Sequence, residues 1–328
     1  MGTTERGWLD DVLNRVRGFM EARVLLTAAE LDVFTVLGGR ASSARELAEE
    51  RGWDPAATEV LLDALTAMGC LTKRQGRYAN TPEAKLWLSA DSPETALPYL
   101  LHLAGLWKAW SGLTDKVGPL PPDAPAHDRT AAFIGAMHVL GRGKAHRTIA
   151  ALRPLESTRL LDVGGASGTY TIAFLRANPD AEATLFDLPD VVPLARRRLA
   201  EEGLSHRVRI VAGDLHQDAL PGGHDLALLS AIIHMNSPEE NLALFRKCRE
   251  ALEPGGRVVI RDHLMSDDRT SPRAGALFAV NMLAATAGGR TYSLRELSEL
   301  LREAGFEEPS VLEANGTMDD LIEARKPN

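Results

Sequence analysis

From Arg159 onward, short apolar runs alternate with amphipathic segments, and this alternation restricts the fold more than any other feature of the chain. The runs with the pattern of buried strands are RLLDVG, EATLFDLP, RVRIVAGD, DLALLSAII and RVVIRDHL, and PSVLEA and MDDLIEARK are typical of two final strands. We therefore predict an α/β domain with a mostly parallel sheet that helices cover on both faces. Ligands of such sheets bind beyond the carboxyl ends of the strands.

The N-terminal part of the chain has a mainly helical pattern. Apolar residues keep a helical spacing through LDDVLNRVRGFMEARVLLTAAELDVFTVLGG. Ser42 or Ser43, followed by Glu46, predicts the capped start of a short helix, and Asp54-Pro55 predicts the start of a second. CLTKRQGRYAN then has the pattern of a hairpin that turns at Gln75-Gly76. Helix, turn, helix and hairpin in this order are typical of a winged-helix domain.

Charge argues against nucleic acid as the partner of this domain. The helix that would contact DNA, AATEVLLDALTAMG, carries Glu59 and Asp63 and has neither Lys nor Arg. A helix that faces phosphates needs the opposite charge. Lys73, Arg74 and Arg77 on the hairpin are typical of a solvated surface, and the formal net charge of the chain is −8. A winged-helix regulator that senses a small molecule is therefore a remote alternative.

A proline-rich stretch from about Trp107 to Ala126 connects the two parts and predicts a hinge. We place an N-terminal helical, winged-helix domain at residues 1–106, and a helical linker with the α/β domain at residues 107–328. Cys70 and Cys248 lack the spacing of a disulfide framework or a zinc site, and the histidines show no metal spacing. We expect no bound metal. No signal-peptide pattern or membrane-length apolar run is found, so we expect a cytoplasmic protein.

The segment LLDVGGASGTY combines a glycine loop with the start of a helix, and acids follow the neighbouring strands. Glycines let the backbone approach a ligand at a helix N-terminus, although dinucleotide-binding folds use the same device. Asp162, Asp187 and Asp214 stand at the ends of three successive strands, which predicts an anionic rim. Such a rim would repel a pyrophosphate but hold an ammonium, a sulfonium and a ribose diol. These groups occur together in S-adenosylmethionine.

LLDVGGASG, LFDLPDVV, VAGD and LEPGGRVVIRD resemble the successive motifs of the plant-type and bacterial small-molecule O-methyltransferases, the family of the caffeate, hydroxyneurosporene and acetylserotonin enzymes. The resemblance covers nearly the whole chain, because the family also carries an N-terminal winged-helix dimerisation domain. It implies a homodimer with a Rossmann-like class I methyltransferase domain and a seven-stranded sheet. Ala166 stands where the family usually has Gly, and we expect the loop to tolerate this change.

The resemblance also implies which residues bind S-adenosylmethionine, whose product is S-adenosylhomocysteine. Gly164 would face the methionine end, Asp187 would bind the ribose hydroxyls, and Asp214 would frame the adenine. Ser230 matches a polar position near the cofactor that is often Lys in plant members. The predicted cofactor-binding residues are Asp162, Gly164, Gly168, Asp187, Leu188, Asp214, Leu215 and Ser230.

His234 falls where the family keeps its catalytic base, and Asp262 matches an acid that orients it. A phenol is a poor nucleophile until it is deprotonated, and an imidazole with a pKa of about 6.5 can take that proton. The family pattern His-Asp-Trp is here His234-Met235-Asn236, and Thr291 stands where plant members have a second acid. A structural or substrate-positioning histidine is therefore the alternative.

For the acceptor the resemblance points to two helical segments and the linker. Aromatic and methionine side chains suit a flat apolar molecule, although the tryptophans could simply pack between the lobes. Together these observations predict transfer of a methyl group to a hydroxyl of an aromatic or polyketide-like molecule. Carbon methylation, hydroxylation or decarboxylation by a relative that binds the same cofactor is the alternative. The predicted acceptor residues are Trp107, Trp110, Phe133, Met137, Asn281 and Met282.

Overall fold

The computed structural model describes residues 3–124, 128–152 and 157–328, so residues 125 and 126 of the predicted hinge lie outside the described residues. The chain divides into two compact units. The first comprises Met1–Leu120 and Asp268–Ala287, and the second comprises Pro121–Asp267 and Gly288–Asn328. Our predicted domain boundary at residues 106/107 stays a prediction.

The helices and strands are numbered along the chain. The helices are α1 Thr3–Glu30, α2 Val33–Leu37, α3 Ala44–Arg51, α4 Pro55–Ala67, α5 Pro82–Leu88, α6 Leu97–Ser111, α7 Leu113–Val117, α8 Arg129–Gly141, α9 Ala145–Ala151, α10 Thr169–Ala177, α11 Val192–Glu201, α12 Pro238–Ala251, α13 Arg273–Ala285 and α14 Leu294–Glu303. The strands are β1 Ser42–Ser43, β2 Leu71–Arg74, β3 Arg77–Asn80, β4 Arg159–Val163, β5 Glu182–Asp187, β6 Val208–Ala212, β7 His224–Ser230, β8 Leu252–Asp262, β9 Leu264–Met265, β10 Tyr292–Ser293, β11 Ser310–Glu313 and β12 Asp320–Arg325.

The first unit contains the predicted winged-helix pattern. Ser43 and Glu46 form the capping box of α3, and the side chain of Asp54 caps α4. The hairpin of β2 and β3 turns at Gln75-Gly76, and β1 joins it in a three-stranded sheet. The helical N-terminal segment is divided into α1 and α2 at Asp32, which adopts a left-handed φ of 53°.

The helix that would contact DNA in a winged-helix regulator is partly covered in this unit. Helix α4 packs against α13, which brings Leu277 and Val280 to the core of the first unit. On the hairpin, Lys73 donates to Asp63 at 2.7 Å and to the carbonyl oxygen of Asp268 at 2.9 Å. The lysine is therefore engaged within the protein, which agrees with the charge argument against DNA binding.

The second unit contains the predicted sheet, which has seven strands in the order β11-β12-β8-β7-β4-β5-β6. All neighbouring pairs from β8 to β6 are parallel, and β12 is antiparallel to both of its neighbours. Strands β5 and β6 follow β4 toward one edge of the sheet, and β8, β12 and β11 follow β7 toward the other edge. These two strands are adjacent, so the segments that follow them diverge at a topological switch point, where ligands of such sheets bind.

One expectation about the second unit was wrong in detail. The fourth apolar run was expected to continue as a strand to Ile233, but β7 ends at Ser230 because Ala231 adopts a φ of 60°. In the part of the chain that the structure describes, no helix has both the length and the apolar character needed to cross a membrane.

Candidate active site

The glycine loop follows β4 and leads directly into α10. A Cβ atom on Gly164 would lie 2.3 Å from the Cδ1 atom of Ile232, and one on Gly165 would lie 2.8 Å from the Cγ atom of Leu185. Gly164 also adopts a left-handed φ of 69°, so glycine suits the loop at both positions. Ala166, the departure from the family motif, adopts a left-handed φ of 49°, a conformation that glycine adopts more easily.

Asp187 ends β5 and holds the glycine loop by hydrogen bonds. Its carboxylate accepts from the backbone N–H of Ala166 at 2.7 Å and from that of Leu188 at 2.7 Å. Burial raises the pKa of Asp187, while the two backbone donors act to lower it. Leu188 is exposed beside it. The predicted position of Asp187 at the carboxyl end of its strand is confirmed.

Asp162 lies beneath the loop rather than on an anionic rim, because its side chain is only 1% exposed. Its carboxylate accepts from the hydroxyl of Thr171 at 2.6 Å. Burial raises the pKa of Asp162 to about 6, with a further contribution from the negative charge of Asp187. The rim expected from three carboxylates therefore lacks one member. Direct binding of the cofactor by Asp162 stays a prediction.

Asp214 follows β6 and shapes the next loop along the sheet edge. Its carboxylate accepts from the backbone N–H of His216 at 2.8 Å and from the side-chain amide of Gln217 at 2.9 Å. Leu215 is partly buried against the core of the second unit. A Cβ atom on Gly213 would lie 2.5 Å from the Phe186 ring, so the backbone passes tightly over β5 here.

Ser230, at the end of β7, has a cationic neighbour that the sequence did not reveal. Arg261 lies opposite Ser230 on β8 and donates to its hydroxyl at 3.1 Å. The same guanidinium donates to Asp319 at 2.8 Å and stacks on the ring of Tyr170, 4.9 Å from its centre. Asp319 also accepts from Lys144 at 2.6 Å. A buried arginine thus lies next to Ser230, where plant members often have a lysine on β7 itself.

His234 and Asp262 are brought together, as expected from the resemblance. His234 lies in a single 3₁₀ turn, Ile233–Met235, that follows β7, and Asp262 ends β8. The Nδ1 atom of His234 is 2.8 Å from Oδ2 and 3.0 Å from Oδ1 of Asp262, and both residues are buried. With Asp262 ionised, Nδ1 carries the proton and donates it, so Nε2 is the basic nitrogen of the neutral ring. Thr291 is also buried, and Met235 is exposed.

Comparison with known proteins agrees with this arrangement. The family model described as the O-methyltransferase domain matches residues 129–307, and the model of the O-methyltransferase dimerisation domain matches residues 13–90. The chain is 33% identical to the tetracenomycin polyketide synthesis 8-O-methyl transferase TcmO of Streptomyces glaucescens, over 97% of this chain and 96% of the relative. It belongs to the S-adenosylmethionine-dependent O-methyltransferases.

Two further proteins are similar to the chain over most of their length. The L-tyrosine C(3)-methyltransferase of Streptomyces lavendulae is 29% identical, over 86% of this chain and 82% of the relative. The crystal structure of an O-methyltransferase family 2 protein from Planctomyces limnophilus in complex with apigenin is 28% identical. It has a TM-score of 0.79 and covers 96% of this chain and 95% of its own. The predicted family and fold class are thereby confirmed.

S-adenosylmethionine is the cofactor of this O-methyltransferase family, and the residues of the second unit fit it. A Cβ atom on Gly164 or Gly165 would meet the side chain of Ile232 or Leu185, so glycine at both positions lets the loop pack closely over the end of the sheet. Asp187 presents a partly exposed carboxylate at the carboxyl edge of the sheet, a suitable acceptor for a diol. The described residues contain no group of three or more His, Cys, Asp or Glu that could hold a metal ion.

The predicted acceptor residues are divided between the two units. Phe133 and Met137 lie on α8 of the second unit, where Phe133 is 55% exposed. In the first unit, Trp110 lies on α6 and is 71% exposed. Of the other three, Trp107 stacks under Arg23, Asn281 is half-buried and Met282 is buried. Roles in acceptor binding stay predictions for all six residues.

Proposed function

We propose that the protein transfers a methyl group from S-adenosylmethionine to a hydroxyl of an aromatic or polyketide-like small molecule, with His234 as the general base. The observation that best supports this proposal is the 2.8 Å distance between Nδ1 of His234, in the turn after β7, and Oδ2 of Asp262. This turn lies next to the glycine loop, because β7 and β4 are neighbours in the sheet.

The proposed mechanism gives each residue of the pair one task. Asp262 accepts the Nδ1 proton and keeps the ring in the tautomer whose Nε2 atom is a base. Nε2 of His234 takes the proton of the acceptor hydroxyl as the oxygen becomes a nucleophile. S-adenosylmethionine, when bound, supplies an electrophilic methyl carbon on a positively charged sulfur. The oxygen forms the new bond to that carbon while the carbon–sulfur bond breaks, and the electron pair stays on sulfur.

The cofactor is proposed to bind at the carboxyl edge of the sheet. Asp187 is proposed to accept from the ribose hydroxyls, with Leu188 against the adenosine, and Asp214 and Leu215 to frame the adenine. The backbone at Gly164 is proposed to lie against the methionine end. Gly168 is the N-cap residue of α10, so the N-terminus of that helix directly follows the loop. The dimerisation domain supports a homodimer as the working form of the enzyme.

The acceptor class rests on the relatives. TcmO is named for a step in polyketide synthesis, and the Planctomyces structure contains apigenin, a flat polyphenol. An aromatic acceptor would also suit the aromatic and methionine side chains at Trp107, Trp110, Phe133 and Met137. A phenol fits the proposed base, because its hydroxyl loses a proton far more readily than an aliphatic alcohol does.

The test is methyl transfer from labelled S-adenosylmethionine to apigenin, a hydroxynaphthoate and a hydroxyanthraquinone. We expect transfer to a phenolic oxygen of at least one acceptor, located by mass spectrometry and NMR of the product. His234→Ala should bind the cofactor as the unaltered protein does but turn over about 10²-fold or more slowly. Turnover that persists in His234→Ala with a flat pH profile would contradict the assignment of the base.

Carbon methylation is the second candidate, and the similarity to the L-tyrosine C(3)-methyltransferase favours it over hydroxylation or decarboxylation. The base would have the same use, because an ionised phenol is also activated at its ring carbons. The two reactions give different products from the same acceptor. A label found on a ring carbon in the assay above would establish the second candidate and exclude the first.

A further inference from the structure

Three carbonyl groups in the turn that carries His234 and directly after it accept hydrogen bonds from other parts of the chain. The carbonyl oxygen of Ile233 accepts from the side-chain amide of Asn241 at 2.8 Å, and that of His234 accepts from the backbone N–H of Arg290 at 2.8 Å. The carbonyl oxygen of Asn236 accepts from the hydroxyl of Tyr292 at 2.6 Å. The backbone on both sides of the histidine is therefore held by α12 and by the segment that precedes α14.

Two asparagines complete this arrangement. The amide nitrogen of Asn236 donates to the side-chain oxygen of Asn241 at 3.0 Å, so a continuous chain of donors runs from Asn236 through Asn241 to Ile233. Asn241 is fully buried, and Asn236 and Tyr292 are each 1% exposed. Buried amides that lack partners cost free energy, whereas satisfied ones favour a single conformation. Burial also raises the pKa of Tyr292, so its hydroxyl keeps its proton and remains a donor.

We propose that Asn236, Asn241 and Tyr292 are positioning residues that hold the His234 ring against Asp262 through the backbone of the turn. The proposal rests on the proposed function of His234 as the base. Position 236 carries an amide where the family pattern has tryptophan, and position 235 carries an exposed methionine where it has an acid. In this chain the turn is thus secured by buried amides rather than by those two side chains.

The physical reason is the intrinsic irregularity of the turn. Ala231 has a φ of 60°, and the 3₁₀ segment that follows is a single turn, with local hydrogen bonds from Met235 N–H to the Ile232 carbonyl and from Asn236 N–H to the Ile233 carbonyl. A ring carried by such a short segment keeps its orientation only if the backbone is held. A displacement of about 1 Å can reduce the rate by about 10²-fold even when it originates away from the reacting atoms.

The test reads the tautomer of His234 and needs no acceptor. The protein is prepared with ¹⁵N-labelled histidine rings in mildly alkaline buffer, and the His234 resonances are assigned by their absence in His234→Ala. We expect one protonated and one unprotonated nitrogen, the signature of a ring fixed by Asp262. In Asn241→Leu and Tyr292→Phe the two shifts should move toward each other as the ring exchanges between tautomers. Tyr292→Phe removes only one hydroxyl, so it keeps the test decisive if Asn241→Leu fails to fold.

Cys248→Ala is the matched control, because Cys248 is buried on α12 two turns beyond Asn241 and contacts core residues. It should lower the melting temperature but leave both nitrogen shifts in place. Unchanged shifts in Asn241→Leu and Tyr292→Phe would overturn the proposal, and so would an equal movement in Cys248→Ala. Failure of the base assignment can be distinguished from failure of this proposal, because it appears as retained turnover in His234→Ala.

Discussion

Asp162 and Asp187 contact consecutive residues of the glycine loop. The carboxyl carbon of Asp162 would lie 2.9 Å from a Cβ atom on Gly165, and Asp187 accepts from the backbone N–H of Ala166 at 2.7 Å. One carboxylate thus supports the loop from the buried side, while the other remains partly exposed at the end of β5. Two acids that were predicted together from the strand ends therefore make different contacts, and substitution of each should have a different effect.

Asp187→Ala should lower the affinity for the cofactor by about 10²-fold or more if the carboxylate accepts from both ribose hydroxyls. The reason is that charge-assisted hydrogen bonds contribute about 1.5–3 kcal/mol each. It also removes the acceptor of the Ala166 N–H, so the loop itself should loosen. Calorimetric titration with S-adenosylhomocysteine measures the effect. Asp190→Ala, in the loop that follows, is the control and should bind normally. Equal affinity in Asp187→Ala and the unaltered protein would remove this residue from the cofactor site.

Asp262→Asn tests the pairing with His234 at nearly constant volume. The amide can donate to Nδ1, which moves the ring proton to Nε2 and removes the base, so turnover should fall about 10²- to 10⁴-fold. Binding of S-adenosylmethionine should change by less than about threefold, because Asp187 and the glycine loop are untouched. Steady-state kinetics with the best acceptor of the panel, together with calorimetry, separates the two effects. A fall in affinity with unchanged turnover would contradict an orienting role.

The periodic parts of the chain were predictable from sequence. Each of the seven strands is marked by an apolar run, and the caps at Ser43 and Asp54 depend on residues within one turn of each other. His234 and Asp262 could be paired because the resemblance to the family assigns them to the ends of two strands that are neighbours in the sheet. Local pattern and a shared motif thus suffice where the interacting groups are fixed by regular structure.

The remaining site contacts depend on register and on irregular backbone. Arg261 meets Ser230 only because these two residues are opposite each other in β8 and β7, which no run of sequence specifies. The end of β7 depends on the positive φ of Ala231, a residue with no turn preference of its own. Tyr292 reaches Asn236 across 56 positions of the chain. Tertiary structure decides such contacts, so they became visible only in three dimensions.

Arg261→Met should destabilise the second unit by about 3 kcal/mol, because it removes one partner of a buried ion pair and leaves Asp319 with Lys144 alone. Burial acts to raise the pKa of Asp319, but the hydrogen bond from Lys144 and the charge of Arg261 together lower it. Urea unfolding measures the loss. Arg325→Met is the matched control on β12, where an exposed side chain lies 3.7 Å from Glu323 and should contribute less than about 0.5 kcal/mol. Equal losses in the two variants would contradict a structural role for the Arg261 pair.

Asp162 should make the stability of the protein depend on pH. Its pKa is raised from 3.8 to about 6 by burial, so the folded chain binds this proton more tightly than the unfolded chain does. The associated stability is fully present below about pH 4 and is lost as the pH rises through about 6. Above that pH the ionised carboxylate costs about 3 kcal/mol, from about 1.4 kcal/mol for each pKa unit.

Asp162→Asn removes the ionisation and keeps an acceptor for Thr171. Without cofactor, its free energy of unfolding should equal that of the unaltered protein near pH 4 and exceed it by about 3 kcal/mol near pH 7.5. Denaturant unfolding at a series of pH values measures this difference, with exposed Asp115→Asn as the control. The same variant should bind S-adenosylmethionine more weakly, because a negative charge near the sulfonium and ammonium is lost. A difference in stability that stays constant from pH 4 to pH 8 would show that Asp162 does not titrate in this range.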